Sequence, residues 1–281
     1  MQGNRPSATA MRVAVRRAAH QLLDRPAIFD DPLAVRIVGE EAEASIVSDP
    51  DAHQRPILRT LRAFLVARSR YAEDALEASV ARGVGQYVVL GAGLDTFAYR
   101  NRHPSLRVFE VDYPATQAWK RERLAAAGIA VPPSLTFAPV DFEEQTLAEG
   151  LARAGLDPSI PTFFSWLGVT YYLSRDVVMN ALRFVASRGA GTEIVFDFSI
   201  PPDGMPPEER REFDTMAALV AAIGEPWVTF LEPLPLSHEV AAMGYSYVET
   251  LTPGAIHTRF FEGRADGLRS GGFGHLLHAR V

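Results

Sequence analysis

Short apolar runs recur at regular spacing through the middle of this chain: QYVVL (86–90), LRVFEVD (106–112), LTFAPVD (135–141), PTFFSWLG (161–168) and TEIVFDFS (192–199). Between them lie amphipathic stretches long enough to hold helices, the pattern of βαβ units around a parallel sheet. PATQAWKRERLAAAG and SRDVVMNALRFVASRG read as crossover helices, opening on proline or serine and closing on glycine. YSYVETL and GHLLHARV, near the end, read as two closing strands. Upstream the period changes to that of helices. SATAMRVAVRRAAHQLL has cap candidates in Ser7 and Thr9, and RPAIFDDPLAVRIVG places Pro32 at a helix start and Gly39 at its end. A longer pattern from Arg55 to Gly83 puts Leu58, Leu61, Leu65, Arg68, Tyr71 and Leu76 near one face. An arginine on that face needs a partner or a route to solvent.

These elements predict one elaborated α/β domain: residues 1–84 as a helical cap and 85–281 as the sheet-bearing core. The pattern loosens between about 201 and 236, where prolines and charges interrupt the rhythm. We read this segment as a lid inserted over the core.

Candidate chemistry concentrates at the carboxyl ends of the predicted strands, where an open parallel sheet places its ligand crevice. In YVVLGAGLDTFAYR, Gly91, Ala92 and Gly93 form the turn from strand to helix, but Thr96 stands where a dinucleotide fingerprint has its third glycine. About 20 residues on, Glu110 and Asp112 occupy the place where a carboxylate takes ribose hydroxyls. Asp141, ending the third strand, could accept an adenine amino group while Phe142 packs on the ring, or could cap the next helix. Three strand ends carrying these features in order point to an adenosine-type ligand.

Composition narrows the partner. With 28 basic against 34 acidic residues, a net charge of −6 disfavours nucleic acid or an anionic membrane as the main partner and leaves a small molecule. No cysteine is present, which excludes thiolate metal sites and cysteine nucleophiles, and no resident metal is expected. No apolar run has the length of a membrane span, and the first residues lack a signal-peptide core; the expected location is cytoplasmic.

The blocks VVLGAGLDTFAYR, FEVDYPATQAWKRERL, PVDFEEQTL, FFSWLGVTYYLS and GTEIVFDFS, with IFDDPLA and ARSRYAEDAL upstream, resemble the S-adenosylmethionine-dependent methyltransferases of the leucine carboxyl methyltransferase type, a group that includes bacterial polyketide carboxyl O-methyltransferases. The resemblance covers roughly residues 25 to 235. It implies a class I, Rossmann-like methyltransferase fold, a mostly parallel seven-stranded sheet, and S-adenosylmethionine as cofactor. It matches Arg68 to the arginine that pairs with the methionyl carboxylate, with Arg70 as the alternative register. It matches Gly91 to the glycine beside the amino-acid moiety, Asp112 or Glu110 to the ribose acid, and Asp141 with Phe142 to the adenine contact. Where many relatives carry glutamate, this chain has Leu167, so the donor's amino group requires a substitute acceptor such as a backbone carbonyl or water.

Such an enzyme needs alignment more than acid–base machinery, because the sulfonium methyl is already activated. An acceptor carboxylate is ionised at pH 7 and needs no base, whereas a hydroxyl profits from one. None of the seven histidines lies in a recognised motif, and no catalytic residue is assigned. Tyr171, Tyr172 and Trp227 are expected to line the acceptor pocket, which with Trp166 and Phe230 suits a small aromatic or polyketide-like acceptor. Two other classes stay open: a module that binds the donor without turnover, and a nicotinamide-dependent oxidoreductase. The second should show the third glycine and a Tyr-Lys or His constellation.

Overall fold

The computed structural model of the chain describes residues 6–141 and 145–281. Its strands fall on the apolar runs: β1 (Gln86–Leu90), β2 (Arg107–Asp112), β3 (Leu135–Pro139), β4 (Thr162–Trp166), β5 (Glu193–Ser199), β6 (Tyr247–Leu251) and β7 (Gly274–Arg280). They form one seven-stranded sheet in the order β3-β2-β1-β4-β5-β7-β6. The first five strands pair in parallel, while β7 runs antiparallel to both β5 and β6, so the sheet is mixed. β1, β4 and β5 are buried along their whole length, which is why they read as continuous apolar runs rather than alternating ones.

Helices cover both faces. The five N-terminal helices are α1 (Ala8–Leu23), α2 (Leu33–Val38), α3 (Glu40–Ser48), α4 (Pro50–Gln54) and α5 (Pro56–Ala81). They are followed by α6 (Pro114–Ala126), α7 (Leu147–Arg153), α8 (Arg175–Ala186), α9 (Pro207–Ala221), α10 (Pro233–Ala242) and α11 (Pro253–Phe260). Because side chains alternate along a strand, Tyr87, Val89 and Val108 enter the core beneath α5, and Val88, Leu90 and Phe109 enter the core shared with α7 and α8. The expected proline and glycine boundaries of α2 are in place: Pro32 precedes its first residue and Gly39 follows its last.

Two buried ionic clusters fasten the N-terminal helices. Asp24 accepts from His20 Nδ1 at 2.8 Å and from the Arg62 guanidinium at 2.8 Å through each of its oxygens. Burial alone would raise the Asp24 carboxyl, but these hydrogen bonds hold it at about 2. The second cluster joins Arg17 of α1 to Asp31, and Arg100, just after the glycine turn, to Glu73 of α5. The chain order reverses between β1 and β4, and that reversal opens a crevice at the carboxyl edge of the sheet.

Candidate functional site

A cavity of about 830 Å³ occupies this crevice. Its floor is the turn after β1. Gly91 has φ +66°, and a Cβ there would meet Val169 Cγ2 at 2.3 Å; Gly93 has φ +44°, with Ala10 of α1 packed 3.2 Å from where its Cβ would be. Both glycines therefore serve the backbone conformation and the close approach of neighbouring chain. The Thr96 side chain donates to Asp31 Oδ1 at 2.7 Å and accepts from Arg17 at 2.9 Å. The position lacking the third glycine thus ties the turn to the N-terminal helices instead of clearing room for a pyrophosphate.

Asp112 lines the cavity at the end of β2, where Oδ2 accepts from Gly93 N–H at 2.5 Å and Oδ1 from Tyr113 N–H at 2.7 Å. Burial raises its carboxyl above the ordinary value against the pull of these two bonds. Glu110 is excluded from the wall. Two residues earlier on the same face of β2, it lies one pleat deeper, paired with Lys120 of α6 at 2.7 Å and accepting from Tyr99 at 3.2 Å. Its carboxyl, pushed up by burial and pulled down by Lys120, sits at about 7. Of the two acids that the sequence left open, the fold presents Asp112 to the cavity. Asp141 lines it beyond β3, and Phe142 lies outside the described residues.

On the other side of the turn stand Leu167, Gly168 and Arg68. Arg68 is 6% exposed and does not reach solvent as a snorkelling side chain would; its Nη1 pairs at 2.5 Å with Asp197 Oδ2, on β5. Asp197 is fully buried and also accepts from Gly168 N–H at 2.6 Å and from the Tyr171 hydroxyl at 3.0 Å. The charge on the apolar helical face therefore has a partner inside the protein, while the guanidinium still lines the cavity. Arg70, half exposed and paired with Asp74, does not. Asp197 escaped the sequence reading because a lone acid within an apolar strand run carries no spacing signal.

The aromatic expectation divides. Tyr172 lines the cavity, but Tyr171 is buried on Asp197 and lies outside it. Trp227 also misses the wall, its ring lying 5.5 Å from Tyr171 and 5.4 Å from Phe213, and Phe230 packs on Phe213 as well. Trp166 belongs to the core and is fully buried. The open sides are instead closed by residues of small or aliphatic type: Ala10, Val13 and Ala14 of α1, Val177 of α8, and Pro226 and Val228. Burial raises the Tyr172 phenol above its ordinary value, so at neutral pH it keeps its proton and can donate.

The 201–236 segment contains α9 and the start of α10; Ala221 at the end of α9, and Gly224, Glu225, Pro226 and Val228 in the link between the two helices, edge the cavity. Its link to the opposite rim is a set of hydrogen bonds: Glu225 accepts from Ala8 N–H at 3.0 Å and Thr9 N–H at 3.2 Å, at the start of α1. A carboxylate is favoured there by the helix dipole and the free N–H groups. Among the described residues no group of side chains suited to hold a metal is found, and no helix is long and apolar enough to cross a membrane.

The wall fits S-adenosylmethionine chemically. It offers guanidinium for a carboxylate, acid at two strand ends for a nucleoside, and a glycine turn that admits a ligand to the backbone, in a volume that exceeds the roughly 300 Å³ at which ligand pockets begin. Comparison with known proteins agrees. Residues 10–186 match the leucine carboxyl methyltransferase family. The chain is 32% identical over 304 aligned positions, covering 99% of both sequences, to the Bacillus subtilis protein named "Putative S-adenosyl-L-methionine-dependent methyltransferase YktD". Among solved structures it superposes on a "putative methyltransferase" of Thermobifida fusca, with a TM-score of 0.57, 19% identity and coverage of 99% and 96% of the two chains. An O-methyltransferase family protein of Burkholderia thailandensis shares the fold at a TM-score of 0.50 and 14% identity, over 88% of this chain and 62% of that one. The chain belongs to the leucine carboxyl methyltransferase family and is an S-adenosylmethionine-dependent methyltransferase.

Proposed function

We propose that this enzyme methylates a carboxylate oxygen of a small, largely apolar molecule. The observation that carries the reading is the composition of the cavity wall: among the described residues no histidine lines it. A carboxylate acceptor is already ionised at pH 7 and needs no proton removed, whereas a hydroxyl acceptor would call for a base tuned near neutrality. Bound S-adenosylmethionine supplies the methyl group on a sulfonium, already activated for displacement. The residues of the chain bind and orient: Arg68 takes the donor's carboxylate, Asp112 its ribose hydroxyls, and Asp141 its adenine. Tyr172, protonated, donates to the acceptor and fixes one of its oxygens. Val13, Val177 and Val228 supply the apolar surface that selects a hydrocarbon or aromatic body and excludes water from the transfer path.

The segment 221–228 acts as the lid in this reading, because it contributes one edge of the cavity and, among the described residues, is tied to the start of α1 on the other edge through Glu225, which accepts from Ser7, Ala8 and Thr9. The test is methyl transfer from a radiolabelled donor to a panel of aromatic and polyketide-like acids and matching phenols. The expected product is an ester, which alkali cleaves to release labelled methanol. Alkali-stable label would mean an ether and a hydroxyl acceptor. Tight S-adenosylhomocysteine binding with no transfer to any acceptor would favour a donor-binding module, and binding of NADH instead would favour an oxidoreductase.

A further inference from the structure

The amino-acid end of the donor is a zwitterion, and a buried ammonium without an acceptor is costly. Leu167 on the wall offers none. The wall has four acids: Asp95, Asp112, Asp141 and Glu225. Asp112, each of whose oxygens already accepts one backbone N–H, is assigned to the ribose hydroxyls. Glu225 is held on the first turn of α1. Asp141 follows β3, two strands from β1. Asp197, close to Arg68, is sealed by Arg68, Gly168 and Tyr171.

Asp95 differs from all of these. It follows the glycine turn directly, and its side chain keeps 23% of its surface exposed. Oδ1 accepts from Phe97 N–H at 2.8 Å, which fixes the carboxylate plane. Oδ2 has the nearest cation, Arg17 Nη1, at 3.6 Å, beyond a hydrogen bond, and that guanidinium is already committed through Nη2 to Asp31 and Thr96. A negatively charged oxygen thus stands on the cavity wall beside the turn, held in orientation and without a close donor.

We propose that the Asp95 carboxylate is the acceptor for the donor's α-ammonium group. The proposal rests on the donor reading of this cavity. It also accounts for the tolerance of an aliphatic side chain at position 167, since the counter-charge comes from the β1 side of the crevice rather than from β4.

Calorimetric titration tests it with three ligands: S-adenosylhomocysteine, its deamino analogue that keeps the carboxylate, and 5′-methylthioadenosine, which lacks the amino-acid end. The variant is Asp95→Asn, in which the side-chain oxygen can still accept from Phe97. Loss of a charge-assisted hydrogen bond should weaken S-adenosylhomocysteine about tenfold or more. The other two ligands should change less than about twofold, as neither carries an ammonium. Equal losses for all three would make Asp95 a support of the turn, and an unchanged S-adenosylhomocysteine affinity would remove its role; either overturns the proposal. Should the variant fail to fold, the wild-type protein decides alone: S-adenosylhomocysteine must bind about tenfold or more tighter than the deamino analogue, and equal affinities refute the assignment. If the wild-type protein binds none of the three, the donor reading falls and the proposal with it.

Discussion

Replacing Asp112 by asparagine probes the site at the point where fold and ligand share one group. The carboxylate accepts two backbone N–H bonds, at 2.5 Å from Gly93 and 2.7 Å from Tyr113. Asparagine keeps one acceptor oxygen but turns an amide N–H₂ toward the other donor. One partly buried N–H then loses its partner, which costs at most about 1–3 kcal/mol of stability. At this chain length that corresponds to a fall in Tm of about 2–4 °C for each kcal/mol. The charge facing the ribose is lost as well. A hydrogen bond to a charged acceptor contributes about 1.5–3 kcal/mol, so S-adenosylhomocysteine should bind about 10- to 150-fold more weakly. Calorimetric titration measures the affinity, and thermal unfolding of the ligand-free protein measures the structural share. The wild-type affinity should also decline in acid as Asp112 protonates, and because burial raises this carboxyl the decline should begin above the usual aspartate range. An unchanged dissociation constant in Asp112→Asn would refute the reasoning, and with Glu110 held on Lys120 no second acid of β2 could take over the role.

Arg68→Ala should unfold at lower denaturant than the wild type, by about 3–5 kcal/mol, because it leaves the Asp197 carboxylate buried without its cation. Arg68→Lys, which retains a charge, should lose far less stability yet still bind S-adenosylhomocysteine more weakly, with adenosine nearly unaffected; equal losses for both ligands would assign Arg68 to the fold alone. Glu225→Ala should speed dissociation of S-adenosylhomocysteine in stopped flow and reduce hydrogen-exchange protection across 221–228, and identical exchange in free and ligand-bound protein would show that the segment is static packing. Asp24→Asn should flatten the acid limb of the stability curve. The native carboxyl lies at about 2 against an ordinary 3.8, so its contribution, about 2 kcal/mol, is complete above about pH 4 and lost as pH falls through 2; an acid limb identical to wild type would contradict the buried Asp24–Arg62 pair.

What could be read from the chain alone was whatever local periodicity dictates. β1, β4 and β5 were legible because a strand buried on both faces must be apolar throughout, and the partly exposed β3 and β6 because short runs of strand-favouring residues between turn signals mark a strand even where burial is incomplete. Gly91 was legible because a tight turn at a strand end leaves few other residues able to adopt its backbone angles. Contacts across the fold were not legible, since they depend on depth and facing that spacing does not encode. Glu110 and Asp112 are two residues apart on one face of one strand, and only the position of α6, with Lys120 reaching down, decides that the first is sealed and the second lines the cavity. Tyr171 and Tyr172 are adjacent in sequence, and the placement of Asp197 on β5, 26 residues beyond Tyr171, turns one inward and leaves the other on the wall. Arg68 presented a charge whose partner the sequence could not name. That partner is supplied by a strand 129 residues away, because in a low-dielectric interior a charge is retained only where another part of the chain brings its counter-charge within a few ångströms.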